Sequence, residues 1–439
     1  MRLTDVRPTA ALALTLCVLV GLAVLASPAA LAAIDSVAAQ GTSAICPSNV
    51  APPPPVDTSE ALTPGETSPT PLPAPSTPVG GTRMGECGAV LPAGAPALPT
   101  DLAFTSWVIA DLDTGQVLAA QDPHARERPA SLIKLLLALV ASRELNPATV
   151  VTGTQDDANQ QGTRVGVGPG GQYTNAQLVH ALLMDSGNDV AHALAMQLGG
   201  MQAAVTKMNA LASQLGATDT RAATPSGLDG AGMSTSSYDL MVIFRTALRN
   251  PLIADAVHTT SMQFPGFPGH PGFAIYNDNP LLTQYPGDLG GKTGYTDDAM
   301  HTYANAADQN GHRVALIAMH GTNHLVGMYA NAKELMSYGF QLENLRTQPV
   351  GQVVSVSLPP ATSSDGVDSV AQVGGASGLG GGPAVAAVTD PPSPAMSAFG
   401  TVGMPLTVIA AIIVGAAGVL YWRRRKAKLA RLARLARGK

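Results

Sequence analysis

Periodic apolar patterning begins near Leu102 and fades near Gln348, and neither flank can make a core of its own. Residues 34–97 are dominated by Pro, Thr, Ser and Gly, with prolines at 52–55 and again at Pro64, Pro69, Pro71, Pro73, Pro75 and Pro78. That composition predicts an extended, semi-rigid strap. Residues 347–404 turn to Gly, Ser, Val and Pro, as in a flexible stalk, with one alternating stretch at 353–358 that could add a strand. Folding is therefore confined to 98–346, roughly 250 residues, enough for one domain with a sizeable core.

The two ends read as membrane-related. Arg2 and Arg7, an apolar run over 10–26 and Ala30-Leu31-Ala32 form a secretory signal over 1–33. A second apolar run, 405–422, is long enough to cross a bilayer and ends in Tyr421 and Trp422. Behind it, 423–439 carries nine Lys or Arg and no acid, which puts this tail in the cytoplasm and 34–404 outside. Leu429, Leu432 and Leu435 at three-residue spacing predict that the tail lies on the anionic inner leaflet as an amphipathic helix. Without those nine cations, 16 Lys+Arg face 30 Asp+Glu, a net −14, which argues against nucleic acid as a partner. Of three cysteines, Cys17 lies in the signal. Cys46 and Cys87 remain in an oxidising compartment, which predicts one disulfide folding the strap back on itself.

Within the folded region, 106–111 reads as a strand, Asp113-Thr114-Gly115 as a turn and 116–120 as the returning strand. Helical patterns follow at 131–143, 175–184, 189–197, 202–215 and 237–248, the last with Ser236 or Ser237 as cap. Strands return at 288–293, 301–307 and 313–319 before a helix over 325–342. This order is not βαβ alternation. It predicts an α+β domain whose first and last strands share one antiparallel sheet flanked by helices.

Three short segments could carry chemistry. Ser131 and Lys134 are three residues apart at the start of an apolar helix, so both side chains lie on one face, one turn apart. A serine hydroxyl needs a base, and a buried lysine can serve if its pKa is depressed. Asp185-Ser186-Gly187-Asn188 falls on a loop between helices, where a hydroxyl and an amide two residues apart can face one cleft. Gly290-Gly291-Lys292-Thr293-Gly294-Tyr295 lies on a strand whose glycines admit a close backbone or ligand, and Lys292 and Thr293 could hold a carboxylate. Taken singly, these segments also read as an N-cap serine with a solvated lysine, an ordinary helix cap and an edge-strand turn.

S-x-x-K, S-x-N and K-T-G in this order resemble the penicillin-recognising serine enzymes, and over roughly 100–345 the chain resembles the low-molecular-mass D-alanyl-D-alanine carboxypeptidases. The hairpin over 108–120, Thr224-Pro225-Ser226-Gly227-Leu228 and the 276–287 approach to K-T-G share the likeness. The resemblance implies a β-lactamase/penicillin-binding-protein-like fold with a helical subdomain. It also implies cleavage of the terminal D-alanine from peptidoglycan stem peptides, inhibition by β-lactams, and no metal or organic cofactor. Ser131 would then be the nucleophile, Lys134 its base and Ser186 a proton relay. Asn188 would hold the substrate amide, and Lys292, Thr293 and Gly294 its terminal carboxylate, with Lys292 charged and facing solvent. The backbone N–H groups of Ser131 and Tyr295 would form the oxyanion hole. Departures from the family pattern are Ile133 for a usual threonine, Met300 for a common glycine, and a Pro/Gly/Phe insertion over 264–273 near the cleft rim. No Glu lies between Asn188 and Lys292, which removes the deacylating base of a class A β-lactamase. A D,D-endopeptidase would use the same residues, and a catalytically dead wall-binding scaffold need not keep them. The nine histidines show no metal spacing, and His320 and His324 read as structural or surface groups flanking a turn.

Overall fold

The computed structural model describes residues 46–357, apart from Thr63, Asn323 and His324. The expected signal, the outer part of the stalk, the spanning segment, the basic tail and His324 lie outside the described residues. Within them, no helix is long and apolar enough to cross a membrane.

The chain opens with strands β1 (Ala89–Val90), β2 (Phe104–Asp111) and β3 (Gln116–Gln121), then helix α1 (Lys134–Glu144). A mainly helical part follows: β4 (Val150–Thr152), α2 (Gln155–Ala158), β5 (Gln172–Thr174), α3 (Asn175–Met184), α4 (Asn188–Gln197), α5 (Met201–Leu215), α6 (Ser237–Ala247) and α7 (Pro251–His258). A small hairpin, β6 (Ser261–Phe264) and β7 (Phe273–Tyr276), and α8 (Leu281–Gln284) lead into β8 (Asp288–Thr296), β9 (Met300–Gln309) and β10 (His312–Gly321). Helix α9 (Leu325–Asn344) and β11 (Gly351–Gln352) end the described chain.

The main sheet runs β1-β3-β2-β10-β9-β8, with β11 added on β3. β2 pairs antiparallel with β10, Val108 opposite Ile317, so the first and last long strands share the sheet as the sequence predicts. Period-2 alternation divides the two faces. Trp107, Ile109, Val314 and Leu316 pack with Leu335 and Met336 of α9, while Val108, Ala110, Ala315 and Ile317 pack with α1 and α6. Both faces are covered, which is why these strands read as unbroken apolar runs. Helix α1 is buried from Lys134 to Ala141, as its all-round apolar sequence requires. Ser236 caps α6 by accepting from the Asp239 N–H at 3.1 Å. The sequence pattern ends β8 at Thr293, but the strand continues to Thr296 because antiparallel pairing with β9 carries on through polar residues.

Cys46 and Cys87 are joined, with Cα atoms 5.7 Å apart. The strap is extended, yet it is not merely a spacer. Arg126 donates to the carbonyls of Val50, Leu72 and Pro73, and Arg128 donates to Pro53 and pairs with Glu60. Proline offers an acceptor without a competing N–H, and a guanidinium carries five donors in a fixed fork, so the two types fit one another. Met84 and Val90 enter the main core outright. Composition alone does not reveal this docking.

Candidate active site

Ser131 sits in a 3-10 turn, Ala130–Ile133, rather than on the α-helix, and Lys134 is the first residue of α1. The Lys134 ammonium is fully buried and donates to Ser131 Oγ at 2.9 Å, Asn188 Oδ1 at 2.8 Å and the Ser226 carbonyl at 2.5 Å. Two of those partners only accept. A neutral lysine would keep both of its N–H bonds on them and turn its lone pair to the Ser131 hydroxyl. Burial, and after it the charge of Lys292, holds the Lys134 pKa well below the ordinary lysine value.

Strand β8 is pressed against this turn. A Cβ at Gly294 would meet Ser131 N at 2.9 Å and Ala130 Cβ at 3.2 Å, so only glycine admits the approach. Gly227 closes the other side, next to Ala130 O and Ser131 N. Ala130 and Ser186 both have left-handed backbones, φ 46° and 61°, next to or within the motifs they serve. β8 is the last strand of the sheet, so Tyr295 lies on an edge, its ring half-exposed against His301.

Ser186 lies buried in the turn between α3 and α4, and Asn188 opens α4. The Asn188 amide is occupied at both ends, by Lys134 and, through Nδ2, by the Gln161 carbonyl at 2.6 Å. Asp189 accepts from the N–H groups of Val165, Gly166 and Val167, which fixes the 161–167 loop along the cleft. The 264–273 insertion is the tip of the β6–β7 hairpin, and its Phe267 ring packs directly on Gly168 of that loop's far end.

Lys292 corrects the expectation from sequence. It is fully buried rather than solvent-facing, its Nζ donates to the Thr293 carbonyl at 2.7 Å, and burial lowers its pKa. Its counter-charge is Asp278, with Oδ2 at 3.7 Å, and the same oxygen accepts from Thr293 Oγ1 at 2.6 Å. Asp185 stands beside this pair, its carboxyl pushed up to about 6 by burial and then by Asp278. Two turns therefore converge on β8, and the four expected positions Ser131, Lys134, Asn188 and Lys292 come together around its edge.

The sequence profile described as D-alanyl-D-alanine carboxypeptidase matches residues 93–323. The D-alanyl-D-alanine carboxypeptidase DacB2 of Mycobacterium tuberculosis is 46% identical over 257 residues, 58% of this chain and 87% of that protein. This chain belongs to the D-alanyl-D-alanine carboxypeptidase family. A crystal structure of a D-alanyl-D-alanine carboxypeptidase from M. tuberculosis H37Rv superposes with a TM-score of 0.57 at 44% identity, covering 60% of this chain and 99% of that one. DacD of Escherichia coli is 32% identical over 259 residues, 55% of this chain but only 64% of that longer protein.

Against the family pattern, Ile133 is a fully buried core side chain. Met300 has φ 54°, a left-handed backbone that explains why glycine is common there. Asp278, Asp185 and the Ser226 and Gln161 carbonyls carry no signal of their own in the sequence. The resemblance of 224–228 and 276–287 points to the regions of Ser226 and Asp278, Asp185 adjoins the S-x-N segment, and nothing points to Gln161. Away from the cleft, His124, Asp219 and Asp239 form the one trio of metal-type side chains among the described residues. Arg126 already pairs with Asp219, and the His124 ring bridges Asp219 and the Val79 carbonyl, so the trio ties the strap to the body. His320 lies in a β10 bulge, 3.5 Å from the buried Glu127 carboxylate.

Proposed function

We infer that the protein is a serine D-alanyl-D-alanine carboxypeptidase acting on peptidoglycan stem pentapeptides and acylated by β-lactams. The observation that carries this reading is the 2.9 Å contact between Ser131 Oγ and a fully buried Lys134 Nζ, with K-T-G strand β8 alongside. Neutral Lys134 takes the Ser131 proton as Oγ attacks the carbonyl between the two D-alanines. The oxyanion is met by the N–H groups of Ser131 and Tyr295. Ser186 relays the proton to the departing D-alanine, whose carboxylate is held by Lys292 and Thr293. Asn188 fixes Lys134 through Oδ1 and contacts the substrate amide through the Nδ2 proton that Gln161 does not take. Water then enters and releases the shortened peptide.

Anchoring is part of the same proposal. The signal over 1–33, the apolar run 405–422 and the basic 423–439 tail support an exported enzyme held by one C-terminal span with its catalytic domain outside. The full chain should stay with membranes, and a chain ending before 405 should be released. Recovery of both forms in the same fraction would remove the anchor.

The test of function is incubation of the full chain with a defined pentapeptide and with a crosslinked dimer, followed by mass analysis. Loss of one terminal D-alanine from the pentapeptide, with the crosslink left intact, is expected. Cleavage of the crosslink in preference would make it an endopeptidase, and no change in either would contradict the assignment.

A further inference from the structure

Thr293 has one hydroxyl proton, and it goes to Asp278 Oδ2 at 2.6 Å. Lys292, the cation next to it, is 3.7 Å from that same oxygen. These are the two side chains that the proposed function assigns to the terminal carboxylate of the substrate. Asp278 is not there by side-chain drift. Its N–H donates to the Met184 carbonyl at 2.8 Å, its carbonyl accepts from Tyr329 Oη at 3.4 Å, and neighbouring Asn277 is tied to the carbonyls of Val257 and Thr259. A carboxylate of the protein is thus held by its backbone where a carboxylate of the substrate has to bind, with Asp185 adding a second acidic group beside it.

We propose that Asp278 is a specificity-determining residue, an internal competitor that engages Thr293 and Lys292 and must yield when an anionic peptide terminus enters. Both carboxylates cannot accept the one Thr293 proton, and two like charges around one buried ammonium repel. Asp278 therefore weakens capture of the free D-alanine carboxylate. For the same reason it favours release of D-alanine after acylation, because the leaving carboxylate is replaced at once by one already in place.

This inference rests on the function proposed above, and the experiment separates the two. The full chain is assayed for D-alanine release from an N-acyl-D-alanyl-D-alanine peptide, and the same peptide ending in a C-terminal amide is tested as a competitor. Asp278→Asn keeps the shape and an acceptor for Thr293 but removes the charge. It should lower KM for the free acid by about fivefold or more, with no equal gain in the affinity of the amide. Asp278→Ala, which frees the hydroxyl altogether, should move KM the same way. An unchanged or higher KM in both variants would overturn the proposal and make Asp278 a residue that positions Lys292 and Thr293. Equal gains for acid and amide would overturn it as well, since charge would then not be what is read. A wild-type chain that releases no D-alanine would instead refute the functional reading, which the Asp278 variants do not address.

Discussion

Lys134 Nζ and Ser131 Oγ stand 2.9 Å apart, and the lysine is fully buried. The acid limb of the pH–rate profile should accordingly report deprotonation of Lys134, with activity rising as pH rises. The limb should lie well below the ordinary lysine range, because burial and Lys292 both oppose a second cation there. Lys134→Arg should lose activity by about a hundredfold or more, since arginine stays protonated. Replacing Lys292 by Gln removes one depressing charge and should move the limb to higher pH. A pH–rate series on the three proteins checks this, and a limb unmoved by loss of Lys292 would exclude the electrostatic coupling.

Breaking the Cys46–Cys87 bridge should destabilise the chain by about 2–4 kcal/mol, because it closes a long loop. The sequence separation is 41 residues. The strap's arginine contacts should soften the loss rather than abolish it. Urea unfolding of Cys46→Ser/Cys87→Ser against the parent measures the difference, and identical midpoints would mean that docking alone holds the strap.

Glu127 is a buried acid whose pKa is raised from 4.5 to about 7, chiefly by burial, and its Oε2 has no hydrogen-bond partner. A raised acid binds its proton more tightly when folded. The stability it contributes is full below pH 4.5 and is lost as pH climbs through 7. Glu127→Gln should remove that slope and offer an N–H to His320 Nδ1, which also lacks a partner. Other charged groups facing Glu127 are Arg128 and, if protonated, His320 itself. The variant should gain up to about 3 kcal/mol relative to the parent between about pH 4.5 and 8. Melting curves across that range test it, and a constant difference at every pH would contradict the titration.

Much of this architecture is legible in the amino-acid sequence. Helix α3 falls at 175–184, where the pattern predicts it, because its apolar positions repeat every three to four residues and Thr174 with Gln177 forms a capping box. Ser131 and Lys134 are visible for a similar local reason, a fixed three-residue spacing. Asp278 is not, because its role arises only when the 277–279 turn meets the end of α3 at Met184 and β8 at Thr293. The burial of Lys292 is hidden likewise, since it depends on what packs over an edge strand. The strap shows the limit of composition: proline predicts extension correctly but says nothing of the Arg126 and Arg128 side chains, far along the chain, that bind its carbonyls.

Met300→Gly should stabilise the protein by about 0.5–1 kcal/mol, because a left-handed backbone costs a methionine more than a glycine. The φ of 54° at the β8–β9 turn is the basis. Thermal unfolding would show a small upward shift, and a downward shift would mean that the methionine side chain contributes more by packing than its backbone costs.

The atom that forms the acyl-enzyme decides whether Ser131 and Lys134 carry the chemistry. Incubating the full chain with benzylpenicillin, digesting it and mapping the adduct by mass spectrometry should place one penicilloyl group on Ser131, released slowly, and none on a folded Ser131→Ala protein. An adduct on another residue, or labelling that persists in the folded Ser131→Ala protein, would contradict the assignment of Ser131 and Lys134 as nucleophile and base.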